Sequence, residues 1–192
     1  MEPVGAFMEL TGSRCTLRPW RPGDAHALVK YANNANVARN LRDRFPHPYT
    51  LRDAKASIHS CASVGPHMSF AIVVDGEAVG GIGISPGSDV ERFSAEIGYW
   101  LGEPLWRRGI TVEAVQLMSA YAFSTCRLLR LFALPFAENL PSIRVLEKAG
   151  YTREATLRSS AVKDGTVRDQ ALYALVNPRW AGLTAAPARD PG

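Results

Sequence analysis

Cysteine is scarce in this sequence: Cys15, Cys61 and Cys126 are three among 192 residues. Their odd number and wide spacing exclude the paired arrangement of a zinc site or a redox dithiol, and point to a reduced, cytoplasmic setting. His47 and His59 have no carboxylate or cysteine at ligand spacing, so both read as surface histidines and no metal is expected. No run approaches the roughly 18 apolar residues of a membrane span. The first residues, interrupted by Glu2, Glu9 and Arg14, hold no signal-peptide core. A large excess of one charge is also missing: the formal charge is +4 and the acidic residues are spread along the chain. A nucleic-acid partner is therefore not expected, whereas an anionic cofactor is favoured. Neither the Lys-Ser/Thr ending of a nucleotide loop nor the three glycines of a dinucleotide fold occurs, which removes nucleoside triphosphates and nicotinamide cofactors.

What is present begins with enough apolar character, 46% of residues, for one sizeable core. That is short for two independent cores, so a single domain is expected over residues 14–178, between an arm at 1–13 and a disordered tail at 179–192. The most informative stretch is Leu105-Trp106-Arg107-Arg108-Gly109-Ile110-Thr111, a basic turn that opens a helix directly after the strand-like run 95–101. The first N–H groups of a helix lack intrahelical partners and carry the positive end of its dipole, so such a junction suits a phosphate. Gly109 allows close approach to the backbone, and Arg107 and Arg108 supply charge-assisted contacts. A plain strand-to-helix turn with solvated arginines fits the spacing equally well.

Taken in order, residues 15–20 read as a strand, and Asp24 caps a helix bearing Ala27, Leu28 and Tyr31. A helical turn at 36–40 follows. Pro46 and Pro48 break regular structure before Thr50 caps a helix reaching about Ala62. Residues 69–74 and 78–84 form a hairpin through Asp75-Gly76, and 93–101 adds a third strand, within which Gly98 signals a bulge or a close backbone approach. A helix over 108–123 precedes a strand at 129–134, which the crossover allows to lie parallel to 93–101. Asn139 caps the next helix, ended by Gly150, and residues 151–157 and 170–176 close the fold as a strand pair around Lys163-Asp164-Gly165.

The strand 95–101, the turn 105–111 and the run Asn139-Leu140-Pro141-Ser142 leading to Glu147-Lys148-Ala149-Gly150-Tyr151 together resemble the GNAT acetyltransferases, and within them the branch acting on ribosomal-protein N-termini. The resemblance covers about residues 10–177. It implies an α/β (α+β) GNAT fold, with a mostly antiparallel central sheet, one splayed parallel strand pair and helices on both faces. It also implies acetyl-CoA as cosubstrate. The family's pyrophosphate-cradling pattern, Arg/Gln-x-x-Gly-x-Gly/Ala, falls on Trp106, Arg107, Arg108, Gly109, Ile110 and Thr111. Trp106 in the first slot is a habit of the branch, whereas Thr111 replaces a small residue. The pantetheine arm would enter between strands 93–101 and 129–134 and bond the backbone at Ile97, Gly98 and Tyr99, with Asn139 and Ser142 also facing the cofactor. Members are often homodimers.

Acetyl transfer to an amine needs a neutral nucleophile, a polarised thioester and help for the departing thiolate. An alkylammonium of pKa near about 10.4 holds its proton at neutral pH, so a carboxylate is useful. The resemblance places Glu96 in that role. Its other reading is a strand carboxylate paired with an arginine. Ser142 would donate to the leaving sulfur or merely cap its helix, and Tyr99 and Tyr151 stand as substitute acids or core residues. The expected activity is transfer to a protein or peptide N-terminus; a small amine acceptor, or CoA binding without catalysis, are the alternatives.

Overall fold

The computed structural model describes residues 8–63 and 68–180; the parts of the expected arm and tail at 1–7 and 181–192 lie outside the described residues. Residues 8–13 are not a loose arm. Leu10–Thr11 forms strand β1, which pairs antiparallel with β2 (Thr16–Arg18). Helices α1 (Ala25–Ala32), α2 (Ala35–Ala38) and α3 (Leu51–Ser63) follow. Strands β3 (Ser69–Val74), β4 (Glu77–Pro86) and β5 (Ser94–Leu101) then lead to α4 (Ile110–Ser124). The chain ends with β6 (Arg130–Ala133), α5 (Leu140–Lys148), β7 (Thr152–Lys163) and β8 (Thr166–Val176). The eight strands form one sheet in the order β1-β2-β3-β4-β5-β6-β8-β7, in which only β5 and β6 run parallel.

Local chemistry explains most boundaries. Asp75 and Gly76 take φ of 49° and 82°, the two left-handed residues of a type I′ turn, and so set the β3–β4 register. Asp164 and Gly165, at 50° and 73°, do the same between β7 and β8. Thr50 and Asp53 exchange hydrogen bonds as a capping box for α3, the Thr50 N–H reaching Asp53 Oδ2 at 2.9 Å. Asp24, expected to cap α1, does not. Its carboxylate takes a bidentate ion pair from Arg18 at 2.7 and 2.8 Å and the Arg21 N–H at 2.8 Å, because a buried guanidinium offers more than one more helix N–H.

The sheet is covered on both faces. Ala114, Val115, Met118, Tyr121 and Ala122 of α4 pack on Ile82, Ile84, Ile97 and Leu131. Across the sheet, Ala25, Leu28 and Ala32 of α1 join Ala54 and Ile58 of α3 and the indole of Trp100. Alternation along β5 therefore sends Ala95, Ile97 and Leu101 into the α4 core, and Glu96, Gly98 and Trp100 to the other side. The closing hairpin is longer than its apolar pattern indicated, since residues 158–168 extend it with mostly polar, exposed side chains.

Candidate active site

The parallel pair parts early. Ser94, Ala95 and Glu96 are in register with Arg130, Leu131 and Phe132, and no pairing follows. Both strands nonetheless continue: β6 stays on β8 through Ala133↔Tyr173, and β5 stays on β4 without interruption from Pro86↔Ala95 to Gly80↔Leu101. Gly98 is thus not a bulge; it sits opposite Gly83 in a regular ladder. The irregularity lies on the other edge of β5, where residues 97–101 have no ladder partner from β6. Along this edge, about 16 Å for five residues at about 3.3 Å each, the backbone groups of alternate residues, Ile97 and Tyr99, are left to an extended ligand, while the Leu101 carbonyl accepts the Trp106 indole.

This edge leads into the basic turn. Arg107 and Gly109 both lie in the left-handed region, at φ of 63° and 76°, and α4 begins at Ile110, two residues later than its sequence pattern indicated. Alternating left-handed residues turn successive N–H groups toward one side, and an arginine held there stores backbone strain. Arg107, Arg108, Gly109, Gln116 and Lys148 line an open basin of about 640 Å³, and Arg14 completes it. Arg14, 94 residues earlier in sequence than Arg108, donates from Nη1 to the Arg108 carbonyl at 3.2 Å. Sequence reasoning missed both Arg14 and Lys148, because only the β1–β2 turn and the end of α5 bring them here. Trp106 does not line the basin. Its indole N–H donates to the Leu101 carbonyl at 2.7 Å and ties the turn to the end of β5. The Ile110 side chain is buried in the core, so that residue offers only its backbone; Thr111 follows it, half-buried in the first turn of α4.

Glu113 holds Arg14 in place. Its carboxylate accepts the backbone N–H groups of Ser13, Arg14 and Cys15 at 2.9, 2.7 and 3.0 Å, and the Ser13 hydroxyl at 2.7 Å. Burial pushes the Glu113 carboxyl up, but these hydrogen bonds outweigh burial and hold it below its ordinary value of 4.5. Burial, and then the adjacent Glu113 charge, push the Cys15 thiol up to about 12, which leaves it inert. Glu113→Ala is expected to cost about 1–3 kcal/mol, the penalty for unsatisfied donors, in a urea titration. Because the folded carboxyl is the more acidic, the clamp's contribution is complete above the ordinary glutamate range and fades as pH falls through the folded value. A mutant whose deficit is the same at neutral pH and at acid pH would refute the clamp.

Two polar constellations flank the split. Asn139 caps α5, accepting the Ser142 N–H at 3.3 Å. The Ser142 hydroxyl lies 2.9 Å from that of Tyr99, which also donates to the Ser142 carbonyl at 3.2 Å. Burial raises the Tyr99 phenol above its ordinary value, so it keeps its proton and serves as a donor. Tyr151 is elsewhere: it is buried in the core and bonded to the Ser119 hydroxyl at 2.9 Å. On the opposite face, the carboxylate of Glu96, the last residue of β5 paired with β6, forms an ion pair with Arg42. Among the described residues no group of three or more His, Cys, Asp or Glu side chains could hold a metal ion, and no helix is long and apolar enough to cross a membrane.

The chain is similar to known proteins in sequence and in fold. Uncharacterized N-acetyltransferase p20 of Bacillus licheniformis is 31% identical over 172 residues, covering 88% of this chain and 96% of that protein. The solved structure of RimL, a ribosomal L7/L12 alpha-N-protein acetyltransferase in complex with coenzyme A, superposes with a TM-score of 0.79 at 17% identity, over 88% of this chain and 98% of its own. The microcin C7 self-immunity acetyltransferase MccE, in complex with acetyl-CoA and AMP, gives 0.76 at 21% identity over 86% and 94%. The acetyltransferase (GNAT) domain family matches residues 14–152, a span that holds the split strands, the arginine turn and the Asn139–Ser142 cap. With that match and that geometry in agreement, the chain belongs to the GNAT acetyltransferases.

Proposed function

We propose that this chain transfers the acetyl group of acetyl-CoA to a primary amine, by direct attack within a ternary complex, and that the acceptor is a protein or peptide N-terminus. One observation carries the reading: the unpaired edge of β5 starts just past Glu96 and ends at the turn that carries the basin's arginines. A phosphate end and an amide-bearing arm each have a matching surface there. The donor set fits pyrophosphate chemistry, with Arg14, Arg107, Arg108 and Lys148 around left-handed backbone. The thioester supplies an electrophilic carbonyl and a good leaving group.

The chain's residues divide the remaining work. Glu96 accepts the proton of the attacking amine, directly or through water, and Tyr99, by donating to the Ser142 hydroxyl, leaves the Ser142 hydrogen free for the departing sulfur. Ile97 and Tyr99 hold the arm by backbone, Gly98 between them keeps the strand edge regular, and Asn139 binds the arm while capping α5. Removing one neutral donor from a leaving group that is already good costs little: Ser142→Ala is expected to lower kcat by about two- to tenfold with acetyl-CoA affinity unchanged. Unchanged kcat in Ser142→Ala, with a fall in Tyr99→Phe, would hand the role to Tyr99.

The peptide acceptor is favoured by the likeness to RimL, whose substrate is a ribosomal-protein N-terminus. The comparable likeness to MccE keeps a small amine as the second reading. An acceptor screen scored by amide formation separates them: acetylated peptides support the proposal, acetylated small amines alone favour the second reading, and acetyl-CoA binding without any product leaves a non-catalytic module.

A further inference from the structure

Beyond Ser94, the face of β5 that points away from α4 carries Glu96, Gly98 and Trp100, and the segment 39–49 touches both ends of that row. Arg42 pairs with Glu96, and the Phe45 ring meets Trp100 edge-on at 5.5 Å between centroids. Phe45 is itself backed by Tyr49 at 4.8 Å. Between these two anchor points lies Gly98, which is exposed, and a Cβ placed on it would meet nothing within 4 Å. The row is thus a slot with a charged end, an aromatic end and an open floor, set on the strand where the β5–β6 ladder stops.

The segment is also fastened from the far side of the cleft. Asp43, next to Arg42, accepts from Lys163 at 2.8 Å, and the Lys163 side chain, at the turn of the β7–β8 hairpin, is only 8% exposed. Two consecutive residues therefore bridge β5 and the closing hairpin. The Asp43 bond leans on a buried, ordered lysine, whereas Arg42 and Glu96 retain side-chain exposures of 53% and 29%. Asp43 is itself 71% exposed, so what sets the Arg42 pair apart is that neither of its partners is buried.

We infer that Arg42 is a specificity-determining residue, whose guanidinium holds the Glu96 carboxylate until the ammonium of an acceptor takes its place, and that the Glu96–Gly98–Trp100 row is the acceptor slot. The inference rests on the amine-acetyltransferase reading and narrows it. An acceptor must present an unhindered primary ammonium to displace a guanidinium from one carboxylate, and its first carbons must lie over Gly98 beside the Trp100 and Phe45 rings. Neutral amines gain nothing from the exchange.

The test compares wild type, Arg42→Gln, Arg42→Lys and Gly98→Val in two assays: calorimetry with acetyl-CoA, and steady-state transfer to a Ser-Ala-Ala tripeptide and to putrescine. An ion pair of this exposure competes weakly, so Arg42→Gln is expected to lower the acceptor KM by about two- to fivefold, and Arg42→Lys to restore it. Gly98→Val adds bulk to the slot; it is expected to raise the acceptor KM, measured at saturating acetyl-CoA, at least about tenfold. An acceptor KM that rises or stays level in Arg42→Gln, with transfer continuing, overturns the exchange and leaves the acetyltransferase reading in place. Equal KM values for wild type and Gly98→Val overturn the slot. Absence of transfer by wild type to either amine, with acetyl-CoA bound, overturns both this inference and the amine reading.

Discussion

Glu96→Gln is expected to lower kcat by about 10²- to 10⁴-fold at neutral pH, the range over which a positioned general base acts. The argument starts from the acceptor, because the α-ammonium of a peptide N-terminus, with a pKa of about 7.7–8.0, still holds its proton in most molecules at pH 7. Glu96 is the carboxylate at the mouth of the split, carried on the same strand as the edge proposed to hold the thioester arm. The substitution keeps shape and removes the charge, so both the attraction for the ammonium and the acceptance of its proton are lost. Rates in the variant should climb with pH as the acceptor deprotonates unaided, while the wild type gains less. A Glu96→Gln enzyme within a few-fold of wild type at neutral pH would reduce Glu96 to an anchor for Arg42.

Reversing the charge at both Arg107 and Arg108 is expected to weaken acetyl-CoA binding by at least about 10²-fold. Hydrogen bonds to charged groups contribute about 1.5–3 kcal/mol each, and 1.4 kcal/mol is tenfold in affinity, so two lost contacts exceed that factor before repulsion is counted. Both side chains are exposed and fasten no other element, so the double variant should unfold at the same urea concentration as wild type. The deficit should also shrink with added salt, since the basin is open to solvent. Equal acetyl-CoA affinity in the double variant would place the phosphates elsewhere.

The order of elements was largely legible, because each left a local signature. Asp75-Gly76 set one hairpin, Asn139 began α5, and the Leu129–Leu134 run after a helix allowed the parallel pairing seen at β6. What stayed hidden depends on long-range contact. β1 is two residues long, too short for any period, and exists only because β2 pairs with it. The far half of the β7–β8 hairpin is mostly polar and its valines, Val162 and Val167, are exposed, so no apolar alternation marked it. Asp24 sits at a capping position, but its preference was decided by a guanidinium six residues earlier. The arginine turn was visible, yet Arg14 and Lys148 came to it through the Glu113 clamp and the end of α5. For Glu96 the sequence left two roles open. The structure shows the arginine partner, Arg42, on a segment whose two prolines had hidden any pattern.

The most direct measurement of the central claim is the stoichiometry of one reaction: purified protein, acetyl-CoA and an amine acceptor, with released thiol and amide product quantified together. Transfer through a ternary complex predicts one free CoA for each acetylated amine, with little thiol released when the amine is left out. Thiol released at the same rate without the amine, or acetyl-CoA bound with no amide formed from any amine, would contradict it.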